Sequence, residues 1–174
     1  MKIAVTDACI FIDLYDLNLT NLLFALDLEI HTSLDVFNEL YIHQQSLFLA
    51  FNSVGKLLIH NISSEERIDI QKQNYPKALS ENDKTVLFIA GKIDAMILSS
   101  DKAVRSFAKK NLIEYHGMLW IFDKLVEKAL LLPSVAANKL ETLIKTNIIY
   151  QNNAELIKEM SLRLQKWNVS DSNR

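Results

Sequence analysis

Four carboxylates stand at positions from which they could share one site. Asp7 directly follows a short β-branched run, and Asp101 comes two residues after another run, which ends at Ser99. Glu39 is expected about two turns into a helix, and Asp83 is expected in the first turn of a later helix. Clustered carboxylates without basic partners raise one another's pKa values unless a cation compensates them. The pattern therefore predicts a site for a hard divalent ion, which prefers oxygen ligands.

Each of these acids also has a purely structural interpretation. Asp7 and Asp101 could cap the helices that follow them. Asp83 could be the acidic partner of Ser80 in a capping box, and Glu39 could be a solvated helix residue. Taken one at a time, the acids are explained equally well in either way. Their combination at the ends of successive elements favours a shared metal site.

The segments around these acids alternate between short apolar strands and longer helices. Strands are predicted at 3–6, 28–32, 56–62, 95–99 and 112–116. Helices are predicted from 8, over 17–26, from a cap at 32 to a stop at Gly55, and over 64–73, 80–92, 102–111 and 117–130. This alternation indicates an α/β fold, with a parallel five-stranded sheet sandwiched by helices. Ligands bind outside the carboxyl ends of such strands, which is the edge where the four acids are expected.

The alternation of strands and helices stops at Pro133. Two further helices are predicted, over 135–149 and 153–167, with no strand between them. We therefore divide the chain into an α/β domain over 1–130 and a C-terminal helical extension over 131–174. The last residues, 171–174, are expected to fray.

Composition and charge narrow the functional classes. The chain has 174 residues with only 3 glycines and 2 prolines, too few for the hairpins of turn-rich all-β folds. Its single cysteine, Cys9, excludes an internal disulfide framework and multi-cysteine zinc sites. No stretch is apolar enough for a membrane helix, so we expect a cytoplasmic protein without membrane contact. A net charge of -2 gives no global positive field, so any polyanion must be held by a local surface.

A local basic surface is predicted on the helix that follows Asp101. Lys102, Arg105, Lys109 and Lys110 all fall on this helix. Arg105 lies one turn beyond Asp101 on the same face, where it could hold phosphate beside the acidic site. The alternative is an ordinary solvated helix face.

Four short motifs, in order along the chain, resemble the acidic motifs of the PIN-domain ribonucleases. They are Thr6-Asp7-Ala8, Phe37-Asn38-Glu39-Leu40, Leu79-Ser80-Glu81-Asn82-Asp83 and Ile97-Leu98-Ser99-Ser100-Asp101-Lys102. The resemblance covers about 2–130 and implies a parallel α/β/α sandwich whose acidic quartet binds Mg²⁺ or Mn²⁺ to hydrolyse RNA. Carried over, it implies Asp7, Glu39, Asp83 and Asp101 as both the catalytic and the metal-binding residues.

One departure from the family pattern lies next to the first aspartate. Family members often carry Ser, Thr or Asn two residues after it, where this chain has Cys9. A supporting hydrogen bond is therefore either missing or supplied by a thiol. A further departure is Glu81, an acid close enough in sequence to compete with Asp83.

Hydrolysis of a phosphodiester needs an activated water and neutralisation of negative charge, both of which bound Mg²⁺ or Mn²⁺ supplies. We expect Asp7 and Asp101 as central ligands, with Glu39 and Asp83 binding the ion directly or through water. Substrate phosphates are expected to contact Arg105, Lys102 and His116. His116 is included because it ends the fifth predicted strand, on the same edge of the sheet as the acids.

The resemblance extends to the toxin components of bacterial toxin–antitoxin pairs. It implies an RNA substrate, a small antitoxin protein as partner and a homodimer. The main alternative keeps the fold without the catalysis, as a catalytically weak or inactive PIN-fold binding or regulatory module. A receiver domain of the response-regulator type is disfavoured, because the third predicted strand ends in His60-Asn61-Ile62 with no aspartate.

Overall fold

The structure, a computed structural model, describes residues 2–171. Of the segment 171–174, which we expect to fray, residues 172–174 lie outside the described residues. The strands are β1 Lys2–Thr6, β2 Leu28–Ser33, β3 Leu57–His60, β4 Met96–Leu98 and β5 Tyr115–His116. The helices of the first part are α1 Ala8–Asp16, α2 Thr20–Leu23, α3 Leu34–Phe37, α4 Ile42–Ser53, α5 Ser64–Lys72, α6 Glu81–Ile93, α7 Lys102–Lys110 and α8 Met118–Glu127. The last part contains α9 Pro133–Thr146, a 3-10 turn Ile148–Tyr150 and α10 Ala154–Asp171.

The five strands form one parallel sheet in the order β3-β2-β1-β4-β5, which confirms the predicted fold class. The central strand, β1, pairs with β2 on one side and β4 on the other, and it buries Ala4 and Val5 completely. The chain adds β2 and β3 on one side of β1 and then returns to add β4 and β5 on the other. This reversal makes the carboxyl ends of β1 and β4 the switch point, where a crevice for ligands opens.

The single helix predicted from a cap at 32 to a stop at Gly55 is wrong, because the chain forms two helices there, α3 and α4. The helix cap also lies one residue later than predicted, at Ser33, whose Oγ accepts a hydrogen bond from the Val36 amide at 3.0 Å. The break between the helices is stabilised by Gln45, whose Nε2 donates to the carbonyls of Phe37 and Leu40. Glu39 consequently lies in an exposed turn between two helices and not two turns into one.

The bounds of two other elements differ from the predicted ones because single residues have a backbone conformation outside the helical and strand regions. β5 begins only at Tyr115, since Leu112 has a φ of 57° and a side chain that is 94% exposed. The helix predicted over 17–26 is reduced to the short α2, which follows Asn18 with its φ of 55°. Both residues adopt the left-handed conformation, which interrupts a strand or a helix.

The C-terminal helices pack on the α/β body and share its core. Trp167 of α10 is 2% exposed and lies with its ring centroid 6.1 Å from that of Phe122 on α8. Arg163 adds an ion pair to Asp123, with its Nη2 at 2.7 Å from Oδ2. The buried apolar side chains of body and extension belong to one continuous cluster. No helix within residues 2–171 is long and apolar enough to span a bilayer.

Candidate active site at the carboxyl ends of β1 and β4

Asp7 lies at the switch point of the sheet and is 5% exposed. Its backbone amide donates to the Leu98 carbonyl at 3.2 Å, which holds the ends of β1 and β4 together. Its Oδ1 accepts hydrogen bonds from the Cys9 thiol at 2.8 Å and from the Ile10 amide at 3.3 Å. The Ser99 hydroxyl donates to the other carboxylate oxygen, Oδ2. The bond from Ile10 confirms the capping interpretation, and the bond from Ser99 holds the carboxylate toward the end of β4.

The carboxylate of Asp7 is buried without a cation beside it in the described residues. Burial raises its pKa from 3.8 to about 6, and the negative charge of Asp83 adds to the rise. The hydrogen bonds from Cys9, Ser99 and Ile10 lower the pKa in part. An acid with such a raised pKa at a crevice is typical of functional sites.

Cys9 supplies a hydrogen bond to Asp7 from its thiol. Its thiol donates to Asp7, and its sulfur accepts a hydrogen bond from the Ser100 amide at 3.2 Å. Burial raises the pKa of Cys9, so the thiol keeps the proton that it donates. The possibility that a thiol replaces the hydroxyl is therefore confirmed.

Asp101 combines a capping role with a place beside Asp7. Its Oδ1 accepts hydrogen bonds from the amides of Ala103 at 2.7 Å and Val104 at 3.0 Å, so it caps α7 as its structural interpretation predicted. Its own amide donates to the Ser99 hydroxyl at 3.0 Å. Ser99 thus connects the two aspartates, because the same hydroxyl donates to Asp7. Within residues 2–171, Oδ2 of Asp101 accepts no hydrogen bond and is available to a ligand.

Asp83 and Glu39 lie together at the start of α6. Asp83 closes a capping box, since its Oδ2 accepts from the Ser80 amide at 2.8 Å and from the Ser80 hydroxyl at 2.7 Å. Glu39 accepts a hydrogen bond on Oε1 from Asn82 Nδ2 at 2.7 Å, which holds the turn after α3 against this helix. The second oxygen of each carboxylate has no hydrogen-bond donor in the described part of the chain.

The donor chemistry of these acids fits a hard cation, although the side chains are not gathered into a closed cage. In the described residues, no group of three or more Asp, Glu, His or Cys side chains is placed to hold a metal ion. Mg²⁺ commonly binds through one or two carboxylates and fills its shell with water and substrate phosphate. Asp7, with its uncompensated charge, and Asp101, which is linked to it through Ser99 and has a free oxygen, fit this mode of binding. A site with all four acids as ligands stays a prediction.

The predicted cationic residues lie beside this site, on α7 and β5. Lys102, Arg105, Lys109 and Lys110 form no ion pair with any residue from 2 to 171, and the Arg105 guanidinium lies 5.5 Å from the centroid of the Tyr115 ring. His116 is differently placed. Its Nε2 is 2.9 Å from Glu114 Oε1, and its ring stacks on Trp120. Contact of Lys102, Arg105 and His116 with substrate stays a prediction.

A polar network behind the site was missed by the sequence analysis. The Ser100 hydroxyl is 2.8 Å from the hydroxyl of Tyr150, which donates to Asp13 Oδ2 at 3.1 Å. Asn147 Nδ2 donates to the other oxygen of Asp13 at 2.9 Å. The only signal in the sequence was Asp13 itself, an acid that follows the apolar residues Ile10, Phe11 and Ile12. This network connects the C-terminal extension to the residues beside Asp7.

A family model described as a PIN domain, DUF3368, matches residues 3–164. The chain belongs to the PIN-domain family. PIN domains are generally nucleases and typically use divalent metals. The match extends well beyond the 2–130 on which the motif resemblance rested, and it includes most of the helical extension of this PIN domain. A comparison with curated proteins finds no match to the chain.

Proposed function

We propose that this PIN domain is a metal-dependent endoribonuclease that hydrolyses RNA phosphodiester bonds. The observation that carries the proposal is the buried carboxylate of Asp7, which has no cation partner in the described residues and shares Ser99 with Asp101 at the switch point of the sheet. A site of this kind attracts a divalent ion, because a nearby cation favours the charged form of a buried carboxylate. Nearby unpaired cations on α7 suit a polyanionic substrate.

Some residues of the site would hold the ion, and others orient the residues that would hold it. Asp7 would hold Mg²⁺ or Mn²⁺, with Asp83 and Asp101 binding through their free oxygens or through water, and Glu39 through water. The ion would supply a lowered pKa of bound water and charge neutralisation on the phosphate. Cys9 and Ser99 fix the carboxylate of Asp7 by donating to its two oxygens. No side-chain nucleophile is required.

The direct test is cleavage of single-stranded and structured RNA by the purified protein with Mn²⁺ and with a chelator. Cleavage is expected only with the metal, and Asp7→Asn is expected to abolish it. Asp94→Asn is the matched control, because Asp94 ends α6 at the opposite end from Asp83 and its left-handed backbone accepts asparagine. Cleavage that survives both the chelator and Asp7→Asn would overturn the mechanism.

A second candidate function is a catalytically weak or inactive binding module. It is supported by the absence, among residues 2–171, of a cluster of three or more metal-ligating side chains. It is also supported by the engagement of one oxygen each of Asp83 and Asp101 in helix caps. Metal-independent RNA binding without any cleavage would establish this alternative.

A toxin role is the finer part of the proposal and rests on the motif resemblance. We infer that expression of the chain in bacteria would arrest growth and that a small antitoxin encoded nearby would relieve the arrest. Growth arrest is expected to disappear with Asp7→Asn, because arrest requires RNA cleavage. Arrest that persists in this variant would separate toxicity from nuclease activity. A homodimer is tested by the mass of the protein in solution.

A further inference from the structure

A cleft lies beside the candidate active site, between α7 and the start of α10. It consists of two adjoining cavities of about 270 Å³ and about 420 Å³, which share Ser100, Arg105, Tyr115, Asn153 and Glu155 in their walls. The larger cavity also includes Asp101, so the cleft opens at the proposed metal site. Its size is that of a small-ligand pocket, which admits a single nucleotide and excludes a double helix.

One wall of the cleft carries uncompensated positive charge. Lys102, Arg105 and Lys109 line it, and none of them has a carboxylate partner in the described part of the chain. Outside the cleft, cations such as Lys84 and Lys92 are held in ion pairs. Free cations beside an aromatic ring are what proteins use to bind single-stranded nucleic acid, since the cations hold phosphates and a ring stacks on bases.

The opposite wall offers hydrogen-bond acceptors. Asn153 uses its Oδ1 to cap α10, accepting from the amides of Glu155 and Leu156 at 3.0 and 3.1 Å. The exposed carboxylate of Glu155 has no hydrogen-bond or ion-pair partner among residues 2–171, whereas Glu159 in the same wall is paired with Arg163. A carboxylate repels phosphate but accepts hydrogen bonds from the amino groups of bases.

We propose that this cleft binds one nucleotide of single-stranded RNA next to the phosphodiester to be cleaved. Its phosphate faces the cations of α7, and its base lies between Tyr115 and Glu155. The Glu155 carboxylate then favours bases that carry an amino group, such as cytosine, over uracil. The inference rests on the proposed function and deepens it by naming the form and base preference of the substrate.

The two walls are held together by the network behind the site. The Tyr150 hydroxyl contacts Ser100 at the cleft floor and Asp13 on α1, which fixes the turn that leads into α10. Tyr150 is 2% exposed, and its burial anchors this turn in the core. The cleft is thus a preformed feature of the folded chain.

The inference is tested by binding, which separates it from cleavage. Fluorescence anisotropy measures the affinity of the full-length Asp7→Asn protein, in chelator, for labelled oligo-C, oligo-U and an RNA duplex of equal length. We expect tighter binding to oligo-C than to oligo-U, and weaker binding to the duplex. Adding Glu155→Gln is expected to reduce the preference for cytosine by about tenfold, the scale of one base-specific contact.

A second variant distinguishes base recognition from phosphate binding. Arg105→Ala is expected to weaken binding to oligo-C and oligo-U alike and to flatten the salt dependence of the affinity. Glu141→Gln on α9, outside the cleft, is the matched control for Glu155→Gln. It is expected to change neither the preference for cytosine nor the affinity for RNA. An unchanged cytosine preference in Glu155→Gln, or equal affinity for the duplex, overturns the inference. Specific binding without any cleavage by the wild type would instead overturn the proposed function alone.

Discussion

Replacing Asp7 with asparagine is expected to stabilise the folded protein at neutral pH when no divalent ion is present. Burial raises the pKa of Asp7 from 3.8 to about 6, so the folded chain takes up a proton that the unfolded chain has already lost. Below about pH 4 the carboxyl is protonated in both states and costs nothing. As the pH rises from about 4 to about 6, the wild type loses stability because the unfolded chain releases this proton while the folded chain retains it.

The magnitude follows from the pKa difference between the two states. A pKa that differs by about 2 between the folded and the unfolded state changes the unfolding free energy by about 3 kcal/mol, since a pKa difference of one corresponds to about 1.4 kcal/mol. Asparagine does not titrate and keeps the shape of the side chain, so the variant escapes this loss. The variant is therefore expected to exceed the wild type in unfolding free energy by up to about 3 kcal/mol above pH 7.

The assay is urea unfolding of both proteins in chelator at a series of pH values from about 4 to 8. The gap in unfolding free energy should open between about pH 4 and pH 6 and then stay constant. Addition of Mn²⁺ at neutral pH should raise the stability of the wild type only, because the ion binds only its folded state. A variant that is no more stable than the wild type at about pH 8, or a gap that does not change with pH, would refute the reasoning.

Three further substitutions test the surroundings of the site. Cys9→Ala removes the thiol that donates to Asp7, so the acidic limb of the cleavage pH profile should shift to higher pH. Cys9→Ser should restore the wild-type profile. Identical profiles for the wild type and Cys9→Ala would count against this hydrogen bond. Tyr150→Phe leaves the buried Asp13 oxygen without its donor and should cost about 1–3 kcal/mol in urea unfolding. Trp167→Ala empties a fully packed position and should cost about 3–5 kcal/mol; a loss below 1 kcal/mol would show that α10 is not anchored in the core.

The order of strands and helices was predictable because the signals for it are local. The capping box of Ser80 and Asp83 is encoded within four residues, and the structure contains it. The break after α3 was not predictable from hydrophobic spacing, which continues across it. It depends on Gln45 binding the carbonyls that the first helix leaves free, and a glutamine side chain carries no signal for this role in the sequence.

Long-range polar contacts were the part that the sequence could not predict. His31 and His60 are 29 residues apart, yet parallel pairing of β2 with β3 brings Nδ1 of the first within 2.7 Å of Nε2 of the second. Tyr150 and Asp13 are 137 residues apart and meet only because the extension packs on α1. Such partners depend on the register of the strands and on the packing of distant elements, and the local sequence pattern determines neither.

The double use of the acidic side chains restricts how this molecule can change. Asp101 begins a helix with one oxygen and offers the other to the site, so alanine there would remove a helix cap as well as a charge. Asparagine caps a helix about as well as aspartate. A change of Asp101 to asparagine therefore removes a carboxylate charge beside Asp7 while the helix start survives. This position can therefore lose its charge in one substitution without loss of the helix that begins there.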